Sequence, residues 1–287
     1  MYPTLFTIGP FTVHSFGLCV ALGFLAALFA MTRLARRGLV PGLPEEGVSP
    51  LVICAMVGGA AGARFAYVCE HWSAEFAGRP FFEVFRFDKG GLMFYGGLFG
   101  AIAVIVLFSR AKKVSLLRVL DLCATVLPLG HAFGRVGCFL NGCCYGRICE
   151  NALGSALSVT YPAHSPAWWE QVGAGLIGRG ATESLPVLPS QLIEAAANLA
   201  LFAALFTLAR RKPCAGILSG IYLIGYAAIR FTTETLRSDP RMMVGPLTIS
   251  QFLSLCLLAA GTAIILFGRK TGNKKEQKTE GNGNDRS

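Results

Sequence analysis

The chain has 287 residues, 53% of them hydrophobic and only 15% charged, with a formal net charge of +10. So apolar a composition excludes an ordinary soluble globular domain, and the apolar residues gather into runs of about 20, the length that crosses a bilayer as a helix. In a soluble protein the positive surplus would point to nucleic acid; here the basic residues fall between apolar runs and answer to membrane topology, so no nucleic-acid partner is expected.

In chain order the runs predict spans at roughly 13–34, 49–69, 91–108, 117–138, 188–209, 215–236 and 247–267. The first reads as a permanent span rather than a cleaved leader, because no basic segment precedes it and no small-residue cleavage site follows. Arg33, Arg36 and Arg37 follow the first span, and Arg110, Lys112, Lys113 and Arg118 lie between the third and fourth. Arg210, Arg211 and Lys212 follow the fifth, and Arg269, Lys270, Lys274 and Lys275 the seventh. Every second connection is therefore basic, which puts the N-terminus outside and the C-terminus in the cytoplasm. The expected architecture is an all-α integral membrane protein, seven transmembrane helices with a small external (periplasmic) head. The membrane domain covers 1–270, with the head formed by the longest connection, 139–187. There the pair Trp168-Trp169 is expected in the headgroup layer. The tail, 271–287, is rich in Lys, Glu, Gly and Asn and is expected to be disordered and dispensable.

Polar residues inside the runs collect toward their outer ends. Arg64 lies late in the second span, His131 and Arg135 late in the fourth, Gln191 and Glu194 early in the fifth, and Arg230 and Glu234 late in the sixth. His131 and Arg135, like Arg230 and Glu234, are four apart and share a helix face. Ionisable groups at membrane depth are costly and mark function. Three arginines with two glutamates leave room for a bound anion, and the planar guanidinium fork suits phosphate. Arg64 also has a plainer reading as the partner of a carboxylate, above the small-residue packing surface of Gly58, Gly59 and Gly62. Between Gly134 and Arg147 four glycines, two arginines, an asparagine and three cysteines close the fourth run. Glycines this dense are expected to stop the helix and admit a ligand to the backbone. No Cys-x-x-Cys pair occurs, and no histidine completes a metal-ligand spacing with Cys138, Cys143, Cys144 and Cys149. Neither a metal nor a cofactor is expected.

Six ordered motifs resemble the prolipoprotein diacylglyceryl transferase family over nearly the whole chain. They are Ile8-Gly9-Pro10 with His14-Ser15-Phe16-Gly17; Gly62-Ala63-Arg64; Gly90-Gly91-Leu92 with Tyr95-Gly96-Gly97-Leu98; Gly134 to Arg147; Pro189 to Glu194; and Gly225-Tyr226 through Arg230, Glu234, Arg237, Asp239 and Pro240. The resemblance implies transfer of the diacylglyceryl group of phosphatidylglycerol to the lipobox cysteine of a preprolipoprotein signal peptide. A thioether forms and glycerol 1-phosphate leaves, at the bacterial cytoplasmic (inner) membrane. It implies Arg135, Arg230, Glu234 and Tyr95 as catalytic residues. Arg135, Arg64, Asn141, Gly142, Gly146, Gln191 and Glu194 are implied as substrate-binding residues, and membrane lipids as further partners.

The chain departs from the family's best-studied members at Tyr95, where they carry a histidine that is a candidate base. It departs also at Phe16, where they carry tyrosine, and at Cys138 and Cys143, where they carry Asn and Glu. An ordinary phenol, with a pKa near 10, is a poor base at neutral pH. Two rival readings use the same residues: a lipid-binding or transport protein built on the arginine cluster, and a membrane thiol enzyme built on the cysteines.

Overall fold

The computed structural model describes residues 4–9, 11–86, 90–149, 157–237 and 243–284, with backbone alone at 8, 11 and 269–284. Pro10, Asp239 and Pro240 of the motifs above lie outside the described residues. The chain divides into two compact units, one formed by Met1–Ala30 with Cys123–Ser287 and the other by Met31–Leu122.

The chain is mostly helical. A hairpin of β1 (Thr4–Ile8) and β2 (Phe11–His14) precedes α1 (Ser15–Arg36). Then come α2 (Val48–Glu70), α3 (Phe94–Ala111), α4 (Leu116–Asn141), the short α5 (Pro166–Gly173), α6 (Ser190–Ala209) and α7 (Ile217–Glu234). Strands β3 (Met243–Val244) and β4 (Leu247–Thr248) pair antiparallel ahead of α8 (Ile249–Asn284). Six helices are long and apolar enough to cross a membrane: α1, α2 with its preceding turn, α3, α4, α6 and the Ile249–Gly268 part of α8. The remaining expected span is present as α7 but is not in that set. Its C-terminal end carries Thr232, Thr233, Arg230 and Glu234, which lower its hydropathy. The expected tail continues α8 as backbone to Asn284; Lys, Glu and Gln are good helix formers and no proline interrupts them.

In the second unit α2 lies on α3 through facing glycines. A Cβ on Gly62 would fall 2.9 Å from the Cα of Gly100, and one on Gly97 would fall 3.3 Å from the Gly59 carbonyl. The helices therefore meet backbone to backbone, the small-residue contact expected of this run. In the first unit α7 and α8 do the same: a Cβ on Gly261 would lie 2.7 Å from the Gly220 carbonyl oxygen.

The helix expected over 117–138 and to be stopped by the glycine-rich stretch continues to Asn141. Gly134 and Gly137 are interior residues of α4, and a Cβ on Gly137 would stand 3.0 Å from Phe16 and 3.2 Å from Cys19 of α1. The stop is at Gly142, whose φ of +77° only glycine adopts freely. There the Cys143 amide donates to the Cys138 carbonyl and the Gly142 amide to the Phe139 carbonyl, the paired bonds of a Schellman cap.

The segment between α4 and α6 folds around Tyr161, Ala167 and Val187, with Tyr145, Ile148 and Val159 packed against them. Ser165 caps α5 by accepting from the Trp168 amide, and Pro166 opens the helix. The tryptophan pair splits. Trp168 is fully buried and donates its indole N–H to the Ala181 carbonyl at 2.8 Å, whereas Trp169 is half exposed. Trp168 is therefore core and not a residue of the headgroup layer.

Candidate active site

Three helices of the first unit bring ionisable groups together on Glu194. This side chain, 2% exposed, projects from the second turn of α6. Arg135 of α4 places Nη2 3.0 Å from Glu194 Oε1, and His131, one turn earlier, places Nε2 3.4 Å from the same oxygen. The Arg135 contact is close but not aligned as a hydrogen bond, so Oε1 is held by charge. Arg230 of α7 approaches from the other side, with Nη1 4.0 Å from Oε2. The shared faces read from the four-residue spacings are therefore both present, and both are turned to one carboxylate.

Arg230 is itself oriented. Its Nη2 donates to Glu234 Oε2 and to Ser250 Oγ, both at 3.0 Å. Glu234 is fixed in turn by Thr248 Oγ1, which donates to Oε1 at 3.0 Å. Arg230 Nη1 is buried and has no hydrogen-bond acceptor among the described residues. A guanidinium N–H in that condition is expensive unless something negative meets it. Thr248 and Ser250 escaped the sequence reading because they belong to the next hairpin and helix, beyond any periodic spacing. Asn198 escaped it too; it is fully buried one turn beyond Glu194 and donates to the Glu194 carbonyl at 2.8 Å.

Around the cap of α4, Gln191 is fully buried and donates from Nε2 to the Cys143 carbonyl at 2.8 Å and to the Tyr161 hydroxyl at 3.0 Å. Burial raises the Tyr161 phenol to about 12, so it stays protonated, with the Gln191 bond opposing. Asn141 ends α4, half-buried, and Gly142 packs under Tyr161, where a Cβ would come within 2.9 Å of the ring. Gly146 is wedged between the carbonyls of Leu188 and Leu236, each 2.9 Å from where a Cβ would stand, and its amide donates to Leu188 at 2.8 Å. Its immediate role is to let three backbone segments cross.

The sulphurs of Cys138, Cys143 and Cys144 lie within 4.8 Å of one another. Cys144 has a φ of +60°, a left-handed conformation that costs an L-residue about 1–2 kcal/mol. Hydrogen bonds from the Cys138 and Cys143 thiols hold the Cys144 thiol well below its ordinary range, with Arg237 and Arg135 adding to the effect and burial opposing it. The cap folds residues five and six apart into contact, a proximity that the cysteine spacing alone does not specify.

The other two expected site residues belong to the second unit. Arg64 is buried and its guanidinium is taken up by backbone. Nε donates to Val84 at 2.8 Å, Nη1 to Gly90 at 2.8 Å and Gly91 at 3.2 Å, and Nη2 to Glu83 at 3.0 Å. Its cation lies over the Tyr67 and Phe76 rings at 5.5 and 5.4 Å. The carbonyls, more than a phosphate, account for these donors, and Arg64 fastens the segment before α3 to α2. Tyr95 stands on the first turn of α3, 52% exposed, with its ring against Phe94.

The family model described as prolipoprotein diacylglyceryl transferase matches residues 3–267. Proteins called phosphatidylglycerol–prolipoprotein diacylglyceryl transferase are similar along nearly all of their length. The one from Rhodospirillum rubrum is 35% identical over 278 residues, covering 93% of this chain and 92% of that protein. That from Xanthomonas oryzae pv. oryzae is 33% identical over 281 residues (93% and 91%), and that from Bordetella bronchiseptica 30% over 269 residues (92% and 94%). With its motifs in order and its arginines and glutamates gathered at one place, the chain belongs to the prolipoprotein diacylglyceryl transferase family.

Proposed function

We propose that the protein transfers the diacylglyceryl group of phosphatidylglycerol to the lipobox cysteine thiol of a preprolipoprotein signal peptide, forming a thioether and releasing glycerol 1-phosphate. The observation that carries this reading is the buried Arg230 N–H without an acceptor among the described residues, beside a carboxylate shared with Arg135. The reaction breaks the bond between the glyceryl carbon and the phosphate oxygen, so negative charge grows on that phosphate. Two guanidinium groups already fixed by Glu194 and Glu234 meet that charge without reorganising, the economical way to lower such a barrier. Gln191, Asn141 and Gly142, at the cap of α4, are the remaining candidates for headgroup contact. Tyr95 holds the position of the family's histidine; its phenol is suited to donating a hydrogen bond to substrate rather than to taking the thiol proton.

The reading includes a topology: seven spans with α7 as the sixth, the bacterial cytoplasmic membrane, the N-terminus and head outside, and the C-terminus inside. The alternation of basic connections supports it. α7 would cross as a helix whose polar face is turned to other helices, the arrangement in which ionisable groups are tolerated at depth.

The test is transfer by the purified full-length protein in detergent from labelled phosphatidylglycerol to a synthetic lipobox peptide. The thioether product and glycerol phosphate are both expected, and Arg135→Ala or Arg230→Ala should each lower the rate by at least about 100-fold. Binding of the lipid without release of glycerol phosphate would instead support the binding or transport reading.

A further inference from the structure

The reaction needs the lipobox thiol as a thiolate, and neither carboxylate at the arginines is suited to accept its proton. Glu194 is engaged by Arg135 and His131, and Glu234 by Arg230 and Thr248. The thiol trio is a second feature without an assigned task. The Schellman cap brings Cys143 back over Cys138, and the left-handed backbone at Cys144 turns that residue into the same space. All three are half-buried and unbridged.

Resting on the transfer reading above, we propose that Cys138, Cys143 and Cys144 hold one thiophilic divalent cation, of the Zn2+ type, whose fourth position takes the lipobox thiol and presents it as the nucleophile. Zn–S bonds of about 2.3 Å in a tetrahedron set sulphurs roughly 3.8 Å apart. Sulphurs already within 4.8 Å of one another close on such an ion by side-chain rotation alone. Among the described residues no fourth Cys, His, Asp or Glu joins this cluster. Three protein ligands with one open position is the pattern of a catalytic zinc, whereas structural sites are closed by four. A thiol that coordinates such an ion loses its proton.

The placement suits the reaction. Cys138 follows Arg135 by one turn of α4, and Gln191, bonded to the Cys143 carbonyl, precedes Glu194 by one turn of α6. A rise of about 4.5 Å per three residues therefore separates the thiol trio from the phosphate-facing cations on both helices. The electrons balance without an oxidant. The incoming S–H bond breaks as sulphur binds the ion, and its proton leaves to solvent. The metal-bound thiolate attacks the glyceryl carbon, the carbon–oxygen bond breaks with its electron pair going to the phosphate, and the thioether product, a weaker ligand than the thiolate, dissociates. Three protein thiolates and a divalent cation carry a net charge of −1, which nearby Arg237 and Arg135 offset.

The experiment uses reduced full-length protein purified anaerobically in detergent. One Zn2+ per chain is expected after dialysis. With Cd2+ as the probe, a thiolate charge-transfer band should appear and grow by about a third when a Cys-containing lipobox peptide supplies a fourth thiolate, but not with the Ser peptide. Cys138→Ser and Cys144→Ser should each lose the ion, while Cys54→Ser, on α2, should keep it. Chelation should lower the transfer rate at pH 7 at least tenfold, with recovery on adding Zn2+. The chelated protein's rate should climb about tenfold per pH unit toward the free thiol pKa near 8.5, while the zinc form stays nearly flat. The proposal is overturned by protein that retains no ion, by full transfer after chelation, by a Cd2+ band indifferent to the peptide, or by serine variants that keep the ion. Full transfer without metal overturns the metal site alone. Metal and peptide binding without any transfer overturns the functional reading, and the nucleophile role with it.

Discussion

At the residue scale, Glu194 and Arg230 make different demands. Glu194 is nearly inaccessible and balances two arginines. Glu194→Gln leaves these cations without their counter-charge and should destabilise the protein by about 3–5 kcal/mol, seen as a lower unfolding midpoint in detergent as well as weaker transfer. Arg230→Lys keeps the charge and loses the fork that lets Nη2 hold Glu234 and Ser250 while Nη1 stays available. We expect it to retain no more than about 1% of the transfer rate; near-normal activity would show that charge alone suffices. Thr248→Val keeps the volume and removes one hydrogen bond to Glu234. A loss of about 1–3 kcal/mol in transition-state stabilisation, appearing in kcat with KM little changed, would identify Thr248 as a positioning residue. These residues differ in how legible they were. The pairs four apart on α4 and α7 were readable because a helix repeats every 3.6 residues. Their convergence on one carboxylate, and the use of Arg64's donors by carbonyls 19 to 27 residues away, depend on tertiary packing that spacing does not encode.

At the scale of elements, the apolar runs located the helices to within a few residues, because a bilayer-length helix needs a continuous apolar stretch and tolerates little else. Two elements were less readable. The hairpin Thr4–His14 was not read: only its last two residues fall inside the first expected span, and Gly9 marks its turn. The glycine-rich stretch was expected to stop α4 without showing which glycine does so; Gly142 has the left-handed backbone that ends the helix, and Gly134 and Gly137 continue it. The glycine contact between α2 and α3 gives this scale its prediction. Gly100→Val puts a branched side chain where the Gly62 Cα lies 3.1 Å from a bare Cβ, and should cost about 1–3 kcal/mol of stability. Chemical unfolding in mixed micelles measures this. An unchanged midpoint would mean that the helices separate freely to make room.

At the scale of the whole molecule, the charge pattern makes a statement that fusion reporters check. A periplasm-dependent phosphatase joined within the external segment after Gly173 should be active, and one joined after Lys270 inactive. Activity at the second position would reverse the assigned orientation. Deletion of 271–287 should leave transfer unchanged, since only the Ile249–Gly268 part of α8 is apolar enough to cross a membrane. The junction between α7 and α8 stands in contrast. Strand β4 ends at Thr248, which holds Glu234, and α8 begins beside Ser250, which holds Arg230. The hairpin is therefore a gauge that sets the distance from one end of α7 to the start of α8. Surface connections usually accept tags, epitopes and inserted domains, and a two-stranded turn with an exposed Met243 and Val244 looks hospitable to them. A single residue added between Val244 and Leu247 would shift the register by one, turning Thr248 away from Glu234 and removing the brace behind Arg230. Libraries built by random insertion should therefore show a silent window at Met243–Thr248, as intolerant as the arginines themselves, in a stretch that carries no reacting group.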